Sequence, residues 1–327
     1  MIGISNNMFK EKKILITGIS GFLGSSLASR LAELGADIYG IVREQACDFA
    51  DRGYKMITGD IQDISLIRRT IVENEIEICL HMAAIATVAN CEKKPIEVYE
   101  TNIKGTWNVL EACRYGKKIQ AVLIASSNLV LGEQQYLPHQ EKQCLGEYMG
   151  SLRPYEVSKH CSELLAKSYH LYYKIPVGIA RFTNLYGPGD YNFSRIVPGT
   201  IRSIIRGEEA QIRGDGQNLR DYVYIEDAVE GCILFVQKLL SARLKGEIIN
   251  FETGQLYSVI DVVERIIHIF EQDTKCKILF NSSRRDNMNQ YLENTKARRL
   301  LSWEPRYSLK EGLERSVEWY VSKSGIR

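Results

Sequence analysis

The sequence predicts an α/β protein built on a doubly wound parallel sheet, with a smaller mixed α/β unit packed beside it. Three observations predict it. Short apolar runs alternate with longer segments of helical period through the first 180 residues or so, a glycine-rich turn follows the first run, and beyond residue 184 the alternation gives way to turn-rich pieces such as "RGDGQNLRDY". A chain of 327 residues also exceeds what one small core organises. Two units are therefore expected, residues 1–183 and residues 184–327.

The first strand is "KKILITG", in which Ile14, Leu15 and Ile16 form a run too short for a helix. "FLGSSLASRLAELG" then carries apolar residues at helical spacing. "ADIYGIV", "YKMITGD", "EICLHMA", "QAVLIASS" and "PVGIARF" read as the second to sixth strands, and "IEVYETNIKGTWNVLEACR" and "YEVSKHCSELLAKSYHLYY" read as intervening helices. Strand and helix in turn imply a parallel sheet, with ligands at the carboxyl ends of its strands. In the second half, helices are expected near 194–206, 226–242, 258–271 and 308–323. "EIINFETG" (247–254) is expected to return a strand to the main sheet.

Composition narrows the function classes. The 42 basic and 40 acidic residues give a net charge of +2 with no long basic tract, which argues against a nucleic-acid partner. No apolar run approaches the roughly 20 residues of a membrane span, and "MIGISNNMFKEKK" lacks the apolar segment of a secretion signal, so a soluble cytoplasmic protein is expected. The eight cysteines show no C-x-x-C spacing and fit reduced thiols better than disulfides or a metal site. No metal is expected.

"ILITGISGFLGSS" places Gly18, Gly21 and Gly24 directly after a strand and before a helix. Glycines there let the backbone turn tightly and approach a pyrophosphate, whose charge meets free N–H groups at the helix start. Ser20, Phe22 and Leu23 belong to the same turn. A structural turn alone would need the same glycines, but strand, triplet and helix together point to dinucleotide binding. The second strand ends at Val42, where an acidic residue commonly holds the ribose of NAD. Arg43 follows instead and suits a 2′-phosphate, so NADP is expected, with NAD the alternative. Asp60 and Ile61 after the third strand are placed for the adenine, and Ala83 and Ala84 in "HMAA" would let the cofactor lie close. His81 reads as a core histidine.

"RPYEVSK" sets Tyr155 four residues ahead of Lys159, a spacing common by chance. Context gives it meaning. Through "TGISGFLG", "GDI", "HMAA", "NIKGTWNVLEACR", "SSNLVLG", "PYEVSK", "RFTNLYGPGD", "RDYVYIEDA" and "LLSWEP", the chain resembles the extended short-chain dehydrogenases/reductases, the NAD-dependent epimerase/dehydratase family acting on nucleotide sugars. "NIKGTWNVLEACR", "RPYEVSK" and "NFSRIVPGTIRS" look most similar to its CDP-glucose 4,6-dehydratase branch. The resemblance implies a Rossmann fold and a catalytic set of Ser127, Tyr155 and Lys159. Tyr155 would take the proton of a sugar hydroxyl held by Ser127 while hydride leaves the same carbon, and Lys159 would also grip the nicotinamide ribose. Positive neighbours are expected to lower the phenol pKa from about 10.

One departure bears on the reaction. Dehydratases of this family usually carry a proton-transferring pair after the Ser/Thr, and here the pair is Asn128 and Leu129. Neither ionises usefully. Elimination would then need another group, such as Glu133 or Glu156. The expectation is therefore a C4 epimerase or 4-ketoreductase, with a CDP- or GDP-hexose 4,6-dehydratase as the alternative. A non-catalytic dinucleotide sensor is a further alternative, opposed by the intact Ser127, Tyr155 and Lys159. Leu131, where relatives have "VYG", is a second departure. By resemblance, Asn184 and Arg220 contact the substrate diphosphate, and Arg284 or Arg285 supplies another phosphate contact. Asn192, Phe193 and Arg195 in "GDYNFSRIVPG" are expected to line the sugar or base pocket, and Asn128 to meet the substrate. A homodimer through the two long helices is likewise implied.

Overall fold

The computed structural model describes residues 7–44, 52–86, 88–132, 138, 140–142, 153–270, 276–281, 289 and 291–324. Its centre is a seven-stranded sheet in the order β10-β6-β5-β4-β1-β2-β3. The strands are β1 (Lys13–Thr17), β2 (Asp37–Val42), β3 (Lys55–Thr58), β4 (Ile78–His81), β5 (Ala121–Ser127), β6 (Val177–Phe182) and β10 (Ile248–Phe251), and every neighbouring pair is parallel.

Period-2 alternation explains why these runs become strands covered on both faces. In β1, Ile14 and Ile16 join one core cluster while Leu15 joins the other. Ile78 and Leu80 against Cys79 in β4, and Leu123 against Val122 and Ile124 in β5, split the same way. The first cluster is completed by α1 (Phe22–Glu33) and α8 (Ile225–Leu240), and the second by α2 (Ile64–Glu73), α5 (Gly105–Tyr115) and α6 (Pro154–Tyr173). Each fully buried Leu or Ile side chain contributes about 1.5–3 kcal/mol.

The helix α2 is an element that the sequence reading does not give. Asp63 caps it, accepting from Ser65 N and Leu66 N, and it buries Leu66, Ile67, Thr70 and Ile71. The short helices α3 (Val88–Lys93) and α4 (Pro95–Tyr99) lead into a π turn, Glu100–Lys104, ahead of α5.

Beyond β6, β7 (Asn184–Tyr186), β9 (Leu219–Tyr224) and β11 (Leu256–Ser258) form a small sheet in the order β11-β9-β7, and β8 (Ala210–Arg213) pairs in parallel with β12 (Ile278–Asn281). The helices α7 (Ile196–Ile205), α9 (Val259–Ile269), α10 (Thr295–Leu301) and α11 (Leu309–Ser324) complete this part. β10 returns to the main sheet beside β6, where Phe251 stacks on Phe182 with ring centroids 5.2 Å apart. Asp221 joins the two parts: its carboxylate accepts from Thr253 N, Thr253 Oγ1, Gly254 N and Thr183 Oγ1.

Strand order reverses between β1 and β4, so the carboxyl ends of β1, β4 and β5 open onto one crevice. Among the described residues, no helix is long and apolar enough to cross a membrane, and no cluster of three or more potential metal ligands occurs. The six described cysteines are free thiols.

Candidate active site

The crevice begins at the turn from β1 into α1. Gly18 has φ +70°, and a Cβ there would lie 2.7 Å from Ala83 Cα. Gly24 is more constrained, since its Cβ would stand 2.1 Å from the Gly18 carbonyl oxygen. Gly21 N donates to Gly18 O at 2.9 Å and closes the turn. No side chain caps α1 at Gly21 and no acidic residue stands in its first turn. Its leading N–H groups and dipole are therefore set to receive an anion. Ser20 is exposed and Phe22 and Leu23 are half-buried beside it. This donor set fits the pyrophosphate of a dinucleotide.

The flanking residues lie along the same edge. Arg43 is exposed directly after β2. Asp60 follows β3 and accepts from Gln62 N at 2.9 Å, while Ile61 is buried and its carbonyl accepts from Asn108 Nδ2. Ala83 and Ala84, just past β4, are half-buried. His81 is buried between Thr17 Oγ1 (2.7 Å) and Thr106 Oγ1 (3.0 Å), and burial with the nearby Lys159 charge pushes its pKa down to about 3. It stays neutral, as a structural histidine does.

Ser127 ends β5, and Pro154 opens α6 at the first helical position, where its missing N–H costs nothing. Tyr155 and Lys159 fall one turn apart on the face that meets the sheet, each 7% exposed. The Ser127 hydroxyl interacts with the Tyr155 phenol, donates to Asn128 Oδ1 at 3.2 Å and accepts from Leu129 N. Lys159 Nζ donates to Ala125 O at 2.9 Å.

Among the chain's own groups, burial dominates the electrostatics of this pair. Burial pushes Tyr155 up to about 12, and Ser127 and the Arg195 charge only partly oppose it. The apolar shell of Cys91, Val98, Ile85 and Leu129 is the cause, because it disfavours the phenolate. Lys159 is pushed down to about 8, also by burial, with Glu163 opposing.

Leu129 packs against the Tyr155 cluster, and Asn128 is buried. Glu156 is 2% exposed and bound by Arg153, whose Nε donates at 2.7 Å and whose backbone N–H donates at 3.1 Å. Its carboxylate is thus committed to the start of α6. Glu133 lies outside the described residues. Leu131 is buried against Val130 and Leu292.

On the other side of the crevice, Arg195 at the start of α7 pairs with the buried Asp190 at 2.9 Å and is close enough for its charge to act on Tyr155. Asn192 shapes the same loop by accepting from Ser194. Asn184 is exposed on β7, donating to Asp221 O at 3.0 Å, and Arg220 donates to Leu219 O. Asn184 aligns with Tyr222, which places Arg220 two residues away on the adjacent strand. The structure thus gathers Ser127, Asn128, Tyr155, Lys159 and Arg195, with Asn184 and Arg220 together on the small sheet. Arg284 and Arg285 lie outside the described residues.

Asn102 is a residue the sequence reading passed over. It sits in the π turn, and its amide bridges Ile85 N, Ile85 O and Ser158 Oγ at 2.8–3.0 Å. It ties the chain leaving β4 to α6, one residue before Lys159. Single π turns often mark functional sites. The sequence signal was its place in "NIKGTWNVLEACR", but the extra backbone residue that aims it inward has no local signature.

A sequence profile described as "NAD dependent epimerase/dehydratase family" matches residues 14–250. The chain is 30% identical over 328 residues to the trifunctional UDP-glucose 4,6-dehydratase/UDP-4-keto-6-deoxy-D-glucose 3,5-epimerase/UDP-4-keto-L-rhamnose-reductase of Arabidopsis thaliana, a match covering 96% of this chain and 47% of that one. It is 29% identical over 344 residues to the CDP-glucose 4,6-dehydratase of Salmonella typhimurium, covering 99% and 94%. Among solved structures, the UDP-glucose 4-epimerase of Thermotoga maritima with UDP-glucose gives a TM-score of 0.86 at 28% identity, covering 95% and 99%. The chain spans about half the length of the first curated relatives it matches.

Proposed function

Because the chain belongs to the NAD dependent epimerase/dehydratase family, we propose that it moves hydride at C4 of a nucleotide-activated hexose without eliminating water, either oxidising and re-reducing C4 as an epimerase or only reducing a 4-keto sugar as a 4-ketoreductase. The observation that carries this reading is the neighbourhood of the reactive phenol. Ser127, Tyr155 and Lys159 converge there, while the next positions hold a buried amide and a leucine packed on Tyr155. Elimination needs one group to take the C5 proton and another to protonate the departing C6 hydroxyl. Such help is commonly worth about 10²–10⁴-fold in rate. Among the described residues, no side chain beside Ser127 supplies it.

In this reading Gly18, Ser20, Gly21, Phe22, Leu23 and Gly24 hold the dinucleotide pyrophosphate, Asp60 and Ile61 flank the adenine, Ala83 and Ala84 border the central part, and Lys159 holds the nicotinamide ribose. When bound, the oxidised dinucleotide supplies a hydride acceptor and a positive charge at its ring. Tyr155 takes the C4 hydroxyl proton, Ser127 keeps that hydroxyl in line, and the Lys159 ammonium favours the phenolate. Residues 184–327, with Asn184, Asn192, Arg195, Arg220 and Arg285, carry the sugar nucleotide, and 1–183 with the strand near 247–254 carry the dinucleotide.

The test is to incubate the protein with CDP-, UDP-, GDP- and dTDP-hexoses and with their 4-keto-6-deoxy forms, supplying oxidised or reduced dinucleotide, and to identify products by NMR and mass spectrometry. A C4 epimer of the hexose, or reduction of the supplied 4-keto sugar by the reduced dinucleotide, is expected. Accumulation of a 4-keto-6-deoxy sugar from the hexose would instead establish the dehydratase, the reading that overall likeness to the Salmonella enzyme favours.

The exposed Arg43 supports NADP over NAD, since a guanidinium can give two charge-assisted hydrogen bonds to a 2′-phosphate. Arg43→Ala should weaken NADP by about tenfold while changing NAD little, the size of one or two such bonds; calorimetric titration with both dinucleotides decides it. A homodimer is supported by Ile96, Tyr99, Trp107 and Leu164, large apolar side chains 36–72% exposed on α4, α5 and α6. Sedimentation equilibrium should give twice the chain mass, and Trp107→Glu should return it to a monomer.

A further inference from the structure

Three consecutive residues at the end of β5 are each tied to α6. The Ala125 carbonyl accepts from Lys159, Ser126 Oγ donates to Glu163 Oε1 at 2.6 Å, and Ser127 meets Tyr155. Tyr155, Lys159 and Glu163 recur every fourth residue, so they line one helix face. Glu163 is fixed from a third element. Arg181 on β6 donates to it through Nε and Nη2, each at 2.7 Å, and the two side chains are 2% and 3% exposed. Burying such a pair is costly, and apolar side chains of similar volume often serve stability as well. Placement for stability alone therefore explains it poorly.

We propose that Glu163 and Arg181, with Ser126, are positioning residues of the Tyr155–Lys159 site: Ser126 and the Glu163–Arg181 pair tie the ends of β5 and β6 to α6 and fix the Glu163 carboxylate one turn beyond the lysine. The proposal rests on the proton-transfer role given above to Tyr155 and Lys159. Its logic is electrostatic. A lysine buried this deeply loses its proton readily, and an anion at Glu163 opposes that loss, so the ammonium persists where the phenolate must form.

The other groups around these residues do not replace it. His81 on β4 faces Lys159 and is neutral, His160 shares the helix with Glu163, and Cys91 on α3 and Arg195 face Tyr155. The charged side chains of α3 and α4 are exposed, and Lys104 of the π turn is half-buried. Glu111 and Arg114 of α5 bond each other and meet Tyr169 near the far end of α6.

Either single change in the ion pair leaves a buried charge alone, so the test uses Glu163→Gln together with Arg181→Met, beside Ser126→Ala. Lysine labelled with ¹³C at Cε is titrated by NMR in the protein alone, with the Lys159 signal assigned by its absence in Lys159→Met. The double variant is expected to lower the Lys159 midpoint by a fraction of a pH unit, less than the loss of a lone opposite charge nearby would, because the Arg181 charge leaves together with that of Glu163. The alkaline limb of kcat should move down with it. Ser126→Ala should keep the midpoint and lower kcat several-fold at unchanged KM. A midpoint in the double variant matching wild type, or kcat unaffected by Ser126→Ala, overturns the proposal. The titration needs no substrate, so it decides the clamp even if no nucleotide sugar is turned over. Absence of turnover in the unmodified protein would count against the enzymatic reading alone.

Discussion

Replacing Tyr155 by phenylalanine is expected to lower kcat by about 10²–10⁴-fold, the usual contribution of a positioned proton-transfer group. The substitution is nearly silent structurally. The ring keeps its contacts with Cys91, Val98, Ile85 and Leu129, and Ser127 keeps Asn128 Oδ1 as an acceptor. Stability should therefore change by no more than about 1 kcal/mol, and KM for the sugar nucleotide should hold. The pH dependence carries a sign. Burial pushes the phenol up, so the phenolate is scarce at neutral pH and oxidation by the unmodified protein should slow as pH falls. The phenylalanine variant should lose that dependence. Steady-state kinetics across pH, beside a thermal melt, separates these outcomes, and a variant that keeps normal turnover would remove Tyr155 from the chemistry.

The second large effect is expected at Gly24. A methyl group there would lie 2.1 Å from the Gly18 carbonyl oxygen, a backbone atom with no rotamer by which to escape. Gly24→Ala must therefore push α1 away from the end of β1. Overpacking of this kind costs about 1–3 kcal/mol, which a typical domain survives. Binding should suffer more if, as proposed, the displaced N–H groups of α1 receive the dinucleotide pyrophosphate. Dinucleotide affinity should fall by at least about tenfold, equivalent to ~1.4 kcal/mol. Calorimetric titration at a temperature where the melt shows the variant folded reads this directly. Undiminished affinity would mean that the turn serves the fold alone.

Much of this architecture was legible because local and global demands coincide. Ile14, Leu15 and Ile16 alternate between two cores, and glycine is required at positions 18 and 24 whatever else the chain does. Tyr155 and Lys159 share a face through helical spacing alone. What stayed hidden depends on register between distant elements. Glu163 stands four residues past Lys159 in plain view, yet nothing local shows that Arg181 and Ser126 arrive beside it from two strands. The apolar shell around Tyr155 stayed hidden for the same reason. Spacing reveals the cation one turn away, whereas the apolar shell comes from α3, α4 and the chain after β4 and β5. Short strands such as β7 and β11, three residues each, are too brief for a period to emerge.

The return of β10 to the edge of the main sheet has a consequence for synthesis and truncation. β6 finds its outer neighbour only after the chain has passed through β7, β8, β9 and α8, so the sheet remains unfinished until about residue 251 has left the ribosome. A fragment ending at 183 would expose the hydrogen-bonding edge of β6 and the face of Phe182 that Phe251 covers. Such a fragment should self-associate rather than survive as a free-standing nucleotide-binding module.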